Sequence, residues 1–195
     1  MKKILCLLLL LNVFQLSAQE TSKEFQDTLN KEYGNREESP LTEEDFKTFK
    51  GLDFFPINEK FIVEAQFTRT PNEKVFKMKT STTRLPEYIK YGELSFSIDG
   101  KAFKLNLYQN IDLTKKEGYE DYLFLPFSDL TCGKESYIGG RYIDMRIPKT
   151  NTVTIDFNKA YNPYCAYNHK YSCPIVPLEN DLNIEILAGV KKFHD

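Results

Sequence analysis

The chain has 195 residues, with 26 Lys+Arg against 28 Asp+Glu, 14% aromatic residues and no tryptophan. A slightly acidic balance without a basic cluster argues against binding to nucleic-acid phosphates or to an anionic membrane surface. The length suits one domain built on one core.

The opening residues, MKKILCLLLLLNVFQLSA, place two lysines before an apolar run from Ile4 to about Phe14, with small residues at Ser17 and Ala18. This is the pattern of a secretory signal peptide over residues 1–18, cleaved after Ala18. The run is shorter than the roughly 20 residues a membrane span needs. Cys6 lies inside it and not at its end, which disfavours a lipid anchor. No second long apolar run follows, so the expected product is secreted or periplasmic, with no membrane span in the mature chain. Losing Lys2 and Lys3 leaves 24 basic residues against 28 acidic ones.

Residues 19–50 read as an N-terminal helical segment. Phe25, Leu29 and Tyr33 recur at i, i+4 and i+8 on an otherwise polar stretch, which gives a helix one narrow apolar stripe. Ser39-Pro40 makes a turn, Thr42 and Asp45 have the spacing of a capping box, and Phe46 and Phe49 follow at helical spacing until Gly51.

From residue 51 to residue 195 the expected unit is β-rich. Apolar and polar residues alternate over 61–67, 75–81, 93–109, 121–129, 139–147, 152–158 and 182–189. Asp99-Gly100, between two alternating runs, is the clearest hairpin signal. About seven short strands separated by turns predict a mainly β fold: a single antiparallel β-sandwich or barrel-like domain with N-terminal helices. There is no βαβ rhythm, no Gly-rich phosphate loop and no internal repeat, so no cofactor is expected.

Residues 156–180, DFNKAYNPYCAYNHKYSCPIVPLEN, carry four tyrosines, four asparagines and three prolines. Such a segment predicts a long loop across one end of the sheet. After cleavage the cysteines are Cys132, Cys165 and Cys173. Cys165 and Cys173 are the expected disulfide, stapling the loop. The rival readings are unpaired or redox-active thiols and a zinc site made with His169, although C-x3-H-x3-C supplies only three ligands. Cys132 reads as a small buried hydrophobe. Tyr161, Tyr164, Tyr167 and Tyr171 either anchor the loop or stack on a sugar or aromatic ligand.

The strongest chemical hint precedes that loop. Pairing 141–147 with 152–158 as a hairpin, apolar against apolar, sets Asp144 opposite Asp156, Arg146 opposite Thr154 and Tyr142 opposite Asn158. Two carboxylates across a ladder repel and need a cation, a shared proton or solvent. They are a solvated face neutralised by Arg141 or Arg146, a polar pocket, or an acid/base pair of the glycosidase kind. Asp129, Thr131 and Glu135 in a Gly-bounded turn, with Glu179 and Asn180 beyond the loop, extend the candidate site. His194 is terminal, His169 is the one internal imidazole, and no Gly-x-Ser-x-Gly elbow accompanies it.

The motifs SPL…FKGLDFFPIN, LPFSDLTCGKESYIGGRYID and DFNKAYNPYCAY…CPIVPLENDLNIEILAG occur in that order and span nearly all of the mature chain. In them the chain resembles the secreted and cytosolic microbial family known as domain of unknown function 1684, which implies no established activity. The resemblance implies a glutamate after Ala188-Gly189, where this chain has Val190.

The leading expectation is a secreted module that binds a small polar ligand, a sugar or a carboxylate. Its candidate contacts are Asp129, Glu135, Arg141, Tyr142, Asn158, Tyr161, Asn162, Glu179 and Asn180. A hydrolase using Asp144 and Asp156 is the second reading, and a structural or protein-interaction role in the envelope the third. No resident metal and no nucleic-acid partner are expected.

Overall fold

The computed structural model of the chain describes residues 20–194, so the signal peptide read over 1–18 lies outside the described residues. Helix α1 (Ser22–Gly34) starts at Thr21, whose hydroxyl accepts the Glu24 N–H while the Glu24 carboxylate accepts the Thr21 N–H at 2.8 Å. That reciprocal pairing satisfies two donors that a helix start leaves open. The expected stripe is buried at Leu29 and Tyr33, and Phe25 packs beside them. A short helix α2 (Glu43–Thr48) starts at Thr42, whose hydroxyl accepts the Asp45 N–H at 3.1 Å, as its spacing predicts. Among the described residues no helix is long and apolar enough to cross a membrane.

The rest is an antiparallel sheet of β1 (Ile62–Arg69), β3 (Glu87–Ile98), β4 (Lys101–Asn110), β5 (Tyr122–Asp129), β6 (Arg141–Arg146) and β7 (Thr152–Asp156). Two-residue strands β2 (Phe76–Lys77) and β8 (Asp181–Leu182) add to β3 and β5. The path runs β6-β5-β4-β3-β1-β7 and curls into a half-barrel. The Asp99-Gly100 turn joins β3 to β4 with φ of 51° and 73°, the left-handed pair that a two-residue hairpin requires. Alternate residues point inward: Leu94, Leu105, Leu107, Leu123, Leu125 and Ile155 are wholly buried in one apolar core. Each such side chain contributes about 1.5–3 kcal/mol.

The expected strand over 182–189 forms only as far as Leu182. Its carbonyls have another partner. The Arg141 guanidinium, fully buried, donates to the carbonyls of Ile186 (2.9 Å) and Ala188 and to Asp129 Oδ2 (2.7 Å). Asp129 Oδ1 accepts the N–H groups of Thr131 and Ile186 at 2.9 and 3.2 Å. A buried ion pair is tolerated when hydrogen bonds satisfy its remaining lone pairs and protons, and here the two terminal nitrogens of Arg141 and both oxygens of Asp129 are bonded and fasten the tail to β5 and β6, while Arg141 Nε has no partner among the described residues. Gly189 lets the tail pass: at φ 77° its missing Cβ would fall 2.6 Å from the Ala160 carbonyl oxygen.

Between β4 and β5 a side chain replaces a rung. Their register, Tyr108 against Phe124, brings Asn106 opposite Pro126, which has no N–H to donate. Asn180 fills the place: its Oδ1 accepts the Asn106 N–H at 2.8 Å, and its Nδ2 donates to the carbonyls of Asn106 and Pro126 at 2.9 and 2.6 Å. Asn180→Ala would strand these buried groups, and we expect urea unfolding to show a loss of roughly 2–3 kcal/mol. An unchanged midpoint would mean that the carboxamide is not the rung.

Candidate functional site

The hairpin expected from 141–158 is not made. β6 pairs with β5 and β7 with β1, so Asp144 lies opposite Phe124 and Asp156 opposite Ile62. Alternation was read correctly within each strand, but the short link joins the two outer edges of a curled sheet. Asp156 acts as a cap: its Oδ2 accepts the Ser22 hydroxyl at 2.6 Å, and its Oδ1 accepts Asn158 N and Nδ2 at 3.0 and 2.9 Å. The two carboxylates are therefore not neighbours on a ladder, although both line one groove between β6 and β7.

Most of the other polar candidates hold backbone. Arg141 and Asp129 are the internal clasp. Asn158, fully buried, clamps both the N–H and the carbonyl of Asn58 at 2.9 and 3.1 Å. Asn162 donates to the Lys191 carbonyl at 2.8 Å, and Asn180 is the β4–β5 rung. Glu135 is exposed on its turn, where its carbonyl accepts the Lys192 N–H. Glu179 lies in a separate shallow groove with Glu73, Lys74 and Lys90.

Tyr142 and Tyr161 do come together with Asp144. The two tyrosines exchange backbone bonds of 2.9 and 3.0 Å, which starts the long loop on the edge of β6. The loop returns beside β2, where Ser81 N–H donates to the Cys173 carbonyl and Ile175 N–H to that of Lys79. Tyr142 donates its hydroxyl to the Pro174 carbonyl. The loop thus covers the sheet face opposite the core, which carries Tyr142 and Asp144, whereas Arg141 is buried in the clasp with Asp129.

Under the loop runs a groove of about 470 Å³. Its walls carry Phe25, Tyr88, Tyr122, Tyr142, Tyr161, Tyr164 and Tyr171; its charged lining is Glu32 and Asp144, with no Lys, Arg or His. Asp144 Oδ1 accepts the hydroxyls of Tyr122 (2.7 Å) and Tyr161 (2.6 Å), while Oδ2 has no hydrogen-bond partner among the described residues. Burial, and then the charge of Asp144, pushes both phenols well above the ordinary tyrosine range, so they stay protonated donors. The arrangement is a carboxylate in the groove lining, positioned by two phenols on one oxygen. Sequence reading missed Phe25, Glu32 and Tyr122 as lining residues. The amphipathic stripe of α1 signalled burial but not the surface it would meet.

The thiols differ from the expectation. Cys165 and Cys173 are buried, unbonded thiols in contact, with the Cys165 N–H donating to Cys173 Sγ at 3.1 Å. Among the described residues no three His, Cys, Asp or Glu side chains converge as metal ligands would, so C-x3-H-x3-C assembles no site. Cys132 is half-buried, its sulfur accepting from Asp129 N–H at 3.4 Å and from the Ser136 hydroxyl at 3.8 Å.

An open antiparallel half-barrel, with a helix and a tyrosine-rich loop walling an aromatic groove on its outer face, is the class that fold and site define. The chain belongs to the family described as "Protein of unknown function (DUF1684)", whose model matches residues 47–191. Its fold is similar to the NMR structure of an uncharacterized protein from Haloarcula marismortui, at 31% identity and a TM-score of 0.68, over 87% of this chain and 91% of that one. No curated protein matches. Val190, where the resemblance implied a glutamate, is buried with Leu29, Tyr33 and Tyr167.

The contact between the thiols sets their chemistry. A hydrogen bond from Cys173 lowers Cys165 to about 6 against the opposing effect of burial, and the same bond, with burial, holds Cys173 above the usual thiol range. Cys165 also lines a groove of about 460 Å³ through which reagents can reach it. In the reduced protein, iodoacetamide should label Cys165 with a midpoint near pH 6, against about 8.5 for a free cysteine. Cys173→Ala should move that midpoint upward, and an ordinary midpoint that does not move would contradict the pairing.

Proposed function

We propose that the chain is a binding module for a small hydroxylated ligand of the sugar type, held in the aromatic groove beneath the 161–176 loop. The observation that carries this reading is Asp144: two phenols fix its Oδ1, and the residue lines a groove walled by aromatic rings. Ligand pockets combine such apolar walls with a few well-placed polar groups. Tyrosine faces suit the apolar face of a sugar ring, and a free carboxylate oxygen accepts from its hydroxyls with a charge-assisted bond. A carboxylate ligand fits less well, because Glu32 and Asp144 would repel it and no cation in the lining would offset them. In this reading the leader pattern of residues 1–18 sends the module outside the cytoplasm.

Calorimetric titration with a panel of mono- and disaccharides tests the proposal. At least one should bind, and Asp144→Asn should weaken it by roughly tenfold or more, the worth of a hydrogen bond to a charged group. Tyr164→Ala should weaken it as well by removing a stacking face. If no saccharide binds, or if one binds Asp144→Asn as tightly, the groove is not a sugar site.

A further inference from the structure

A second groove lies between the edges of the sheet. β6 and β7 end the six-strand path and face each other across the opening of the half-barrel. Over most of their length their Cα atoms are more than 8 Å apart, whereas paired strands lie about 4.7–4.9 Å apart. The two edges are therefore not paired with each other, yet residues of both line one groove.

The phase of the two outer ladders shows what faces it. Ile147 N–H donates to the Asp121 carbonyl at 2.8 Å, so Ile143 and Met145 spend their backbone groups on β5. The N–H and carbonyl of Tyr142, Asp144 and Arg146 then turn towards the gap. On β7, Phe67 N–H donates to the Asn151 carbonyl at 2.7 Å, which commits Val153 and Ile155 to β1 and turns Thr152 and Thr154 to the gap. The Tyr142 rung is already taken by Tyr161 as a one-residue piece of added strand. Beyond it the backbone groups of Asp144 and Arg146 have no partner among the described residues, and both residues line the groove with Thr154 of β7.

The groove between the two edges measures about 470 Å³; its apolar lining includes Ile143, Met145 and Val153, and its charged lining is Asp144, Asp156, Arg146 and Lys159. Two facing rows of alternating donors and acceptors match a polypeptide backbone, which presents the same alternation on both of its sides. A sugar or a lipid chain would leave those rows unmatched. We propose that this seam takes an extended segment of another polypeptide, about as long as the five-residue β7, as an added strand bonded to β6 and β7 at once. One apolar side chain of the segment would face Met145 and Val153, and its neighbours would project between Arg146 and Lys159. This goes beyond ligand binding under the loop and can fail independently of it.

Residue-resolved amide exchange tests the seam, with acetyl-Lys-Thr-Val-Thr-Val-Thr-amide as the probe at about 5 mM, enough to fill most of a site of millimolar Kd. In the free protein the amides of Asp144, Arg146 and Thr154 should exchange fast while those of Met145 and Ile155 are protected. The peptide should slow the first three by roughly tenfold or more, and the same peptide N-methylated at alternate residues should not. Thr154→Pro, which removes the edge donor and the exposed hydroxyl bond to Glu64, should abolish the effect at Asp144 and Arg146 while Ile155 stays protected. If that variant unfolds, the N-methyl comparison decides alone. No added protection, or equal protection by the N-methylated peptide, would overturn the proposal. Protection without peptide that fades on dilution would also overturn it, by making a second copy of the chain the missing strand.

Discussion

The buried pair of Asp129 and Arg141 is the contact on which the other parts are arranged. Both side chains are removed from solvent, and each charge is acceptable only because the other, with backbone groups, answers it. Arg141 gathers the carbonyls of residues 186 and 188, which turns the tail from a strand into a strap across β5 and β6. The strap then meets the N-terminal part: Gly189 accepts from Phe55 N–H, and Val190 packs with Leu29, Tyr33 and Tyr167. Helix α1 and the tyrosine loop are thereby seated, and together they wall the groove at Asp144.

Asparagine carboxamides perform the same service on a smaller scale. Each offers a donor and an acceptor in the plane of a peptide group, so it can stand in where a ladder fails. Asn180 does so at Pro126, and Asn158 does so for the free backbone of Asn58. A buried polar residue that satisfies backbone in this way is costly to remove and tells nothing about a ligand. The signature of a site is different. Asp144 is held on one oxygen by two phenols, and among the described residues its side chain bonds no backbone group.

Local signals in the sequence were read well. The Asp99-Gly100 hairpin, the α1 stripe and the Thr42 cap follow from turn chemistry and periodicity within a few residues, and the structure has them where the pattern puts them. Pairing was misread wherever it depended on distant partners. The link from β6 to β7 looks like a hairpin loop, yet curling carries those strands to opposite edges, and residues far along the chain, β1 and β5, take their hydrogen bonds. Asn158, Asn162 and Asn180 looked like ligand contacts because polarity alone does not show whether a side chain will face water or backbone. Tyr142, Tyr161 and Asp144 were legible as a group because the loop begins on the β6 edge, while Phe25, Glu32 and Tyr122 reach the groove through tertiary packing.

The polar residues divide into those that hold the fold and one that serves the groove, and a matched pair of substitutions tests the division. Asp129→Asn and Asp144→Asn make the same chemical change, one beside a buried guanidinium and the other beside two phenols that an amide carbonyl still accepts. Urea unfolding should show a loss of roughly 3 kcal/mol or more for Asp129→Asn, the cost of leaving a buried charge unanswered, and under about 1 kcal/mol for Asp144→Asn. Equal losses, or a larger loss at Asp144, would contradict the division and with it the assignment of Asp144 to the site.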